Sequence, residues 1–160
     1  MTMDWGGWAL FGLLATAGLT ALLISAQLGG LSRLDLPLIL GTIVTPDPDR
    51  ARAAGFVMHL AIGQCFALGY AGSFVLLGRA TWWLGGLLGL LHGAVALTAI
   101  LPMLVGVHPR MASRRAGPQS VAVLEPPGLI GLNYGAQTPL VTLAAHVAYG
   151  IALGALLEIS

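Results

Sequence analysis

The chain has 160 residues, of which 57% are hydrophobic and 8% are charged, and its net charge is +1. A soluble domain carries about 25% charged residues, so this composition excludes a protein whose whole surface faces water. The small net charge also argues against a basic surface for nucleic acid, and we expect no nucleic-acid partner. The composition therefore predicts an integral membrane protein that has the lipid bilayer as its surroundings.

Four apolar segments follow one another along the chain, each close to the ~20 residues that a helix needs to cross the hydrocarbon core. They cover residues 8–28, 55–77, 82–105 and 138–157. The first apolar run is too long for a signal peptide and no basic residue precedes it, so we expect it to be retained. The sequence thus predicts an all-α fold with four transmembrane helices in a single domain, residues 1–160.

Two long connections, residues 29–54 and 106–137, carry nearly all of the charge. They contain six of the seven arginines, whereas Arg79 alone lies in the short turn after the second segment. Because basic residues mark the cytoplasmic side, we expect both long loops in the cytoplasm and both termini outside. The predicted location is the bacterial inner (plasma) membrane, which the chain crosses several times. Tryptophans that could form an aromatic belt lie at the opposite interface: Trp5, Trp8, Trp82 and Trp83.

The first long loop contains a second kind of apolar segment, residues 31–44. It is too short to span, and charged residues, Pro37 and Gly41 interrupt it. We expect a short interfacial helix there, or a segment that folds back against the transmembrane helices. In the other long loop, residues 113–135 are rich in Gly and Pro, which predicts little regular structure.

Prolines indicate where several helices begin or bend. Asp47-Pro48 and Thr138-Pro139 each place a side-chain acceptor at the N-cap and a proline at the first helical position. They predict the starts of the second and fourth long helices, and the start at Asp47-Pro48 places the beginning of the second helix before the membrane. Pro102 lies near the end of the third span, where a proline kinks or ends a helix.

Glycines are frequent within the spans, and small residues let membrane helices approach closely. Gly85 and Gly89 form a Gly-x-x-x-Gly pair in the third span, and Gly150 and Gly154 form another in the fourth. We predict that Gly89, Gly93, Gly150 and Gly154 face neighbouring helices rather than lipid.

The two halves of the chain share a pattern. His59 is followed four residues later by Gly63, and His146 is followed in the same way by Gly150. Both halves also run helix, long loop, helix. This predicts two parallel two-helix repeats, related by an axis along the membrane normal.

Four histidines are candidates for chemistry. His108 precedes a proline in a loop and is predicted to be solvated. His59, His92 and His146 lie within spans, where ionisable side chains are costly and usually face the bundle interior. On the simplest interpretation each is a neutral imidazole bonded to a carbonyl or a hydroxyl. On the alternative, His59 and His146 are axial ligands of a b-type haem or similar macrocycle, since imidazole is a common axial ligand.

No catalytic residues are predicted. The spans contain no Asp or Glu, and the sequence has no zinc-protease motif, cysteine cluster or phosphate-binding loop. Cys65 is alone and is expected to act as a small apolar residue. We expect a non-catalytic membrane protein that forms a homo-oligomer or joins other membrane subunits. Two alternatives stay open: an electron-transfer subunit that binds haem or pigment through His59 and His146, and a small-solute transporter.

The pattern His146-Val-Ala-Tyr149-Gly150-x-x-x-Gly154 resembles the last helix of uncharacterised small multi-pass bacterial membrane proteins. The resemblance covers that helix only. It implies a multi-pass topology and carries no activity, cofactor or site residue with it.

Overall fold

The computed structural model describes residues 3–112 and 124–158. In this part of the chain the regular structure is helical, apart from an isolated bridge between Met111 and Leu124. Four helical stretches there are long and apolar enough to cross a membrane, which confirms the all-α class and the number of candidate spans. They are Trp5–Leu28, Pro48–Leu77, Trp82–Val107 and Thr138–Leu156.

Short elements in the two long loops accompany these stretches, and the third stretch is divided by a π-helical turn. In chain order the elements are α1 (Trp5–Leu28), α2 (Leu36–Gly41), α3 (Pro48–Leu77), α4 (Trp82–Val95), the π turn (Ala96–Ile100), α5 (Leu101–Val107), a 3-10 helix (Leu129–Tyr134) and α6 (Thr138–Leu156).

Aspartate side chains cap the first three helices at their N-termini. The capping residues are Asp4, Asp35 and Asp47, and each carboxylate accepts a backbone N–H that has no partner within its helix. Asp47 and Pro48 begin α3 as predicted. The start of α6 differs from the prediction, because Gln137 occupies the N-cap and Thr138 is already helical.

Pro102 changes the backbone hydrogen-bond pattern of the third stretch, but the helix continues beyond it. The π turn ends at Ile100, two residues before this proline, and α5 continues to Val107. A proline has no N–H to donate to the carbonyl four residues earlier, here that of Thr98. The wider π turn accommodates the missing bond, so the third stretch extends two residues beyond the predicted span.

The helix of the first loop, α2, folds back against α3. A Cβ added to Gly41 would lie 1.7 Å from the carbonyl oxygen of Ala51, and one added to Gly55 would lie 1.8 Å from that of Pro37. Only glycine permits two backbones to approach so closely. The first loop is therefore packed against the N-terminal part of α3, which was the second of the two expectations for this segment.

Both long loops and α5 share a small apolar cluster, here called the loop-side core. Its buried residues are Leu34, Ile39, Leu101, Met111 and Tyr134. The Tyr134 hydroxyl donates to the carbonyl of Glu125 at 2.6 Å. Burial raises the pKa of Tyr134 to about 12, with the Glu125 carboxylate adding to the rise and Arg33 opposing it.

The second long loop was predicted to have little regular structure, but residues 124–135 include a 3-10 helix, Leu129–Tyr134. The rest of that prediction, residues 113–123, lies outside the described residues. Strain accompanies this helix, since Ile130 has a φ of 46°, a left-handed conformation that is unusual for a β-branched residue.

His108 is part of the same region, and the prediction that it is solvated was wrong. It is only 6% exposed. Its Nε2 donates to the carbonyl of Ile39 at 2.8 Å, and its Nδ1 accepts the backbone N–H of Arg110 at 3.0 Å. The Arg110 guanidinium donates to the carbonyl of Thr42 at 2.5 Å. The last carbonyls of a helix lack donors within the helix. His108 and Arg110 supply these donors at the C-terminal end of α2, and His108 is buried as a result.

Candidate ligand-binding site

A cavity of about 120 Å³ lies among α1, α3, the third stretch and α6. Leucines and other apolar side chains form most of its wall, and no Asp, Glu, Lys or Arg from the described residues contributes to it. The polar lining residues are Thr16, His59, His92, Thr142, His146 and Tyr149. The cavity therefore combines a polar, uncharged patch with a predominantly apolar wall.

His59 enters the cavity from α3 and is held by a hydroxyl of α1. Its Nδ1 lies 2.9 Å from Oγ1 of Thr20. That hydroxyl donates its one hydrogen to the carbonyl of Thr16, at 2.7 Å. Both bonds are satisfied only if Nδ1 of His59 carries the ring hydrogen and donates to Thr20. In the neutral ring, Nε2 is then a hydrogen-bond acceptor.

His146 enters from α6 and reaches the same state by a different contact. Its Nδ1 lies 2.8 Å from the backbone carbonyl oxygen of Thr142, one turn earlier. Because a carbonyl only accepts, Nδ1 must be the donor. Nε2 of neutral His146 is therefore also an acceptor.

His92 joins them from α4, although the sequence reasoning paired only His59 with His146. Its ring stacks on Phe66 at a centroid distance of 4.0 Å and meets His146 nearly edge-on at 4.6 Å. The hydroxyl of Tyr70 lies 3.4 Å from its Nδ1. The sequence does contain a feature that could have identified His92 as a site residue. It lies ten residues into α4, or ~15 Å from the start of that helix, a depth close to the middle of a membrane.

Tyr149 was also not predicted as a site residue. Its hydroxyl donates to the carbonyl of Gly63 at 2.8 Å, and its ring packs edge-on against Tyr70 at 5.4 Å. Gly63 in turn lets α1 approach α3, since a Cβ there would lie 2.1 Å from Oγ1 of Thr16. Tyr149 thus fixes α6 to α3 beside the cavity.

The hydroxyl of Thr142 has no hydrogen-bond partner among the described residues, although the side chain is buried. Other helical hydroxyls donate to the carbonyl four residues earlier, the usual local solution; they are those of Thr16, Thr20, Ser73 and Thr98. An unpaired buried hydroxyl costs about 1–3 kcal/mol. Thr142 is therefore a cavity-lining residue whose hydroxyl the described residues leave unpaired.

The four predicted packing glycines lie where α4 meets α6, next to the histidines. An added Cβ would come within 2.3 Å of the carbonyl oxygen of His146 at Gly89 and within 3.1 Å of His146 Cβ at Gly93. At Gly154 it would lie 2.2 Å from the carbonyl oxygen of Thr81. Gly150 faces the backbone of α4 in the same way. These glycines determine how closely His92 and His146 approach each other.

The geometry gives no support to a haem between His59 and His146. A cavity of roughly 150 Å³ holds one benzene molecule, and a porphyrin is several times larger than benzene. The ring of His92 also occupies space beside His146. As a separate matter, the described residues contain no group of three or more His, Cys, Asp or Glu side chains that could hold a metal ion without a macrocycle.

Comparison with known proteins assigns no family. No family model matches the sequence, and no curated protein or solved structure is significantly similar to it. The resemblance to small multi-pass bacterial membrane proteins therefore remains an expectation from the last-helix pattern.

Proposed function

We propose that this chain is a non-catalytic integral membrane protein that binds a small, uncharged molecule within its helices. The observation that carries the proposal is the convergence of three histidines and the unpaired Thr142 hydroxyl on one cavity. Convergent polar groups in a mainly apolar pocket are the usual form of a small-molecule site. Ligand binding is also the first step of the small-solute transporter alternative.

The ligand reaches this site from the bilayer. Ile62 of α3 and Ile100 of the π turn both line the cavity, and each is 39% exposed. The cavity therefore extends to the face that lipid would cover. Because its wall carries no charged side chain among the described residues, a charged ligand would enter without a counter-ion at a high cost in free energy.

The proposed arrangement is a four-helix bundle made of two parallel halves, α1–α3 and α4–α6. The halves share His-x-Ala-x-Gly, from His59 to Gly63 and from His146 to Gly150. The excess of arginine in the long loops favours a cytoplasmic position for the loop-side core and outside termini, in a bacterial inner membrane. On this proposal each half contributes the histidine of this shared motif to the site, and α4 adds His92.

We also propose that the chain forms a homo-oligomer or joins other membrane subunits through faces other than the Gly-x-x-x-Gly pairs. The supporting observation is that Gly85, Gly89, Gly150 and Gly154 are all in contact within the chain, α4 against α6.

A fluorine NMR titration with para-fluorotoluene tests whether the cavity binds small molecules. The purified protein in detergent is compared with Ala96→Leu, which adds volume to the cavity wall, and with Ala99→Leu. Ala99 lies in the same π turn but is exposed and does not line the cavity. Unfolding temperatures of both variants verify that they are folded.

We expect saturable line broadening of the probe with the wild type and with Ala99→Leu, and little with Ala96→Leu. Partition into detergent is the same in all three samples, so it cannot produce this difference. Equal broadening with the two folded variants would overturn the proposed function.

A further inference from the structure

We infer that the ligand is a phenol: an uncharged aromatic ring that presents a hydroxyl to the intramembrane histidines. The inference rests on the proposed function and names the class of molecule that the site recognises. It is carried by the hydrogen-bonding state of His59 and His146, which the contacts of their Nδ1 atoms determine.

Both histidines offer the cavity an acceptor rather than a donor. The hydrogen on Nδ1 of His59 is used by Thr20, and that on Nδ1 of His146 is used by the Thr142 carbonyl. Each neutral ring therefore has a lone pair on Nε2. Neither Nε2 has a hydrogen-bond partner among the residues that the structure describes. An apolar site with unsatisfied acceptors selects a ligand that brings donors, because such acceptors are costly when left unpaired.

A hydroxyl fits the remaining polar group as well. Its oxygen donates one hydrogen and also accepts, so it can serve an Nε2 acceptor and the unpaired hydroxyl of Thr142 on the same wall. An ammonium group would bring more donors, but it would place a charge in a wall that carries none among the described residues.

The walls favour an aromatic ring as the carrier of that hydroxyl. Phe66, His92 and Tyr149 all line the cavity, and aromatic rings pair well in offset or edge-on arrangements. The volume of about 120 Å³ is of the same order as the roughly 150 Å³ that accommodates benzene. A single ring would fill most of this volume, and any alkyl substituent would extend along the apolar wall toward Ile62 and Ile100.

The test compares para-fluorophenol with para-fluoroanisole, in which a methyl ether replaces the hydroxyl and removes the donor. Dissociation constants are measured by fluorine NMR in the same detergent, each corrected with the Ala96→Leu protein. We expect the wild type to bind the phenol about five- to tenfold more tightly, as one net hydrogen bond implies.

Two substitutions remove the acceptor while keeping the structural bond. In His59→Asn and His146→Asn the amide N–H2 stands in for Nδ1–H as donor, and nothing replaces Nε2. We expect the preference for the phenol to fall to about twofold or less in at least one folded variant. Nitrogen NMR of the wild-type histidines gives a readout without mutation: both rings should be Nδ1–H tautomers, and an Nε2 signal should move when the phenol is added.

The outcomes separate the two proposals. If phenol and anisole bind equally and Ala96→Leu blocks both, the cavity binds small molecules but the phenol assignment is wrong. The phenol assignment is also wrong if both rings are Nε2–H tautomers. If Ala96→Leu blocks neither probe, the proposed function fails together with the inference.

Discussion

Gly85 of α4 and Gly150 of α6 face each other reciprocally: a Cβ added to either would lie 2.0 Å from the carbonyl oxygen of the other. No real side chain tolerates that distance, so the two backbones are in direct contact. Gly89 and Gly154 extend the same contact in both directions along the helices. Small residues on both partners are how membrane helices gain packing energy without a hydrophobic driving force.

Gly150→Ala should therefore destabilise the protein. The added methyl group would have to push α4 away from α6, and overpacking of this kind costs about 1–3 kcal/mol. Gly69→Ala on α3 is the matched control, because nothing lies within 4 Å of an added Cβ there. It should be neutral or stabilising, by up to about 1 kcal/mol from the higher helix propensity of Ala. Thermal unfolding in detergent measures both, and equal unfolding temperatures would contradict the described interface.

Thr20→Val should also lower stability, for an electrostatic rather than a steric reason. Valine has nearly the same shape but cannot accept the Nδ1–H of His59, now bonded at 2.9 Å. A buried donor left unpaired costs about 1–3 kcal/mol. Thr98→Val removes an exposed hydroxyl that bonds only its own helix, to Ala94, and should change stability little. A Thr20→Val protein that unfolds together with Thr98→Val would show that His59 does not depend on Thr20.

Arg110→Ala should loosen the first loop. The guanidinium donates to the carbonyls of Thr42 and Ile43, just beyond the end of α2. Losing a charged donor of this kind costs about 1.5–3 kcal/mol, so backbone amides of residues 36–44 should exchange with solvent faster. Arg50→Ala is the control for charge, since the Arg50 side chain has no ion pair or hydrogen bond within the described residues. Unchanged exchange in Arg110→Ala would remove this arginine as a cap of α2.

Orientation in the membrane can be tested with single cysteines introduced into Cys65→Ala, because the native Cys65 is exposed. Asp49, whose side chain is fully exposed at the start of α3, and Glu158, beyond the end of α6, mark the two sides. We expect an impermeant thiol reagent to label Glu158→Cys in intact cells and Asp49→Cys only after permeabilisation. The reverse pattern would place the long loops outside.

The spans were predictable from the sequence because apolar length is a local property, and the start of α3 was predictable because Asp47 and Pro48 act locally. The site depended on contacts between distant segments. His92 lies on α4 outside the His-x-Ala-x-Gly pattern that His59 and His146 share, so no motif in the sequence relates it to them. The prediction for His108 was wrong for a related reason. A position in a loop suggests exposure to solvent, but here the first loop provides a buried carbonyl, that of Ile39, to which His108 bonds.

The exposed position of Ile62 and Ile100 at the cavity has a consequence for the apparent affinity of the proposed ligand. A molecule that arrives through the bilayer is present there at a mole fraction set by its partition between water and lipid. Each added methylene raises that partition about fourfold without any change at the histidines. A homologous series would therefore show apparent aqueous affinities that climb with chain length, while occupancy plotted against mole fraction in lipid would fall on a single curve.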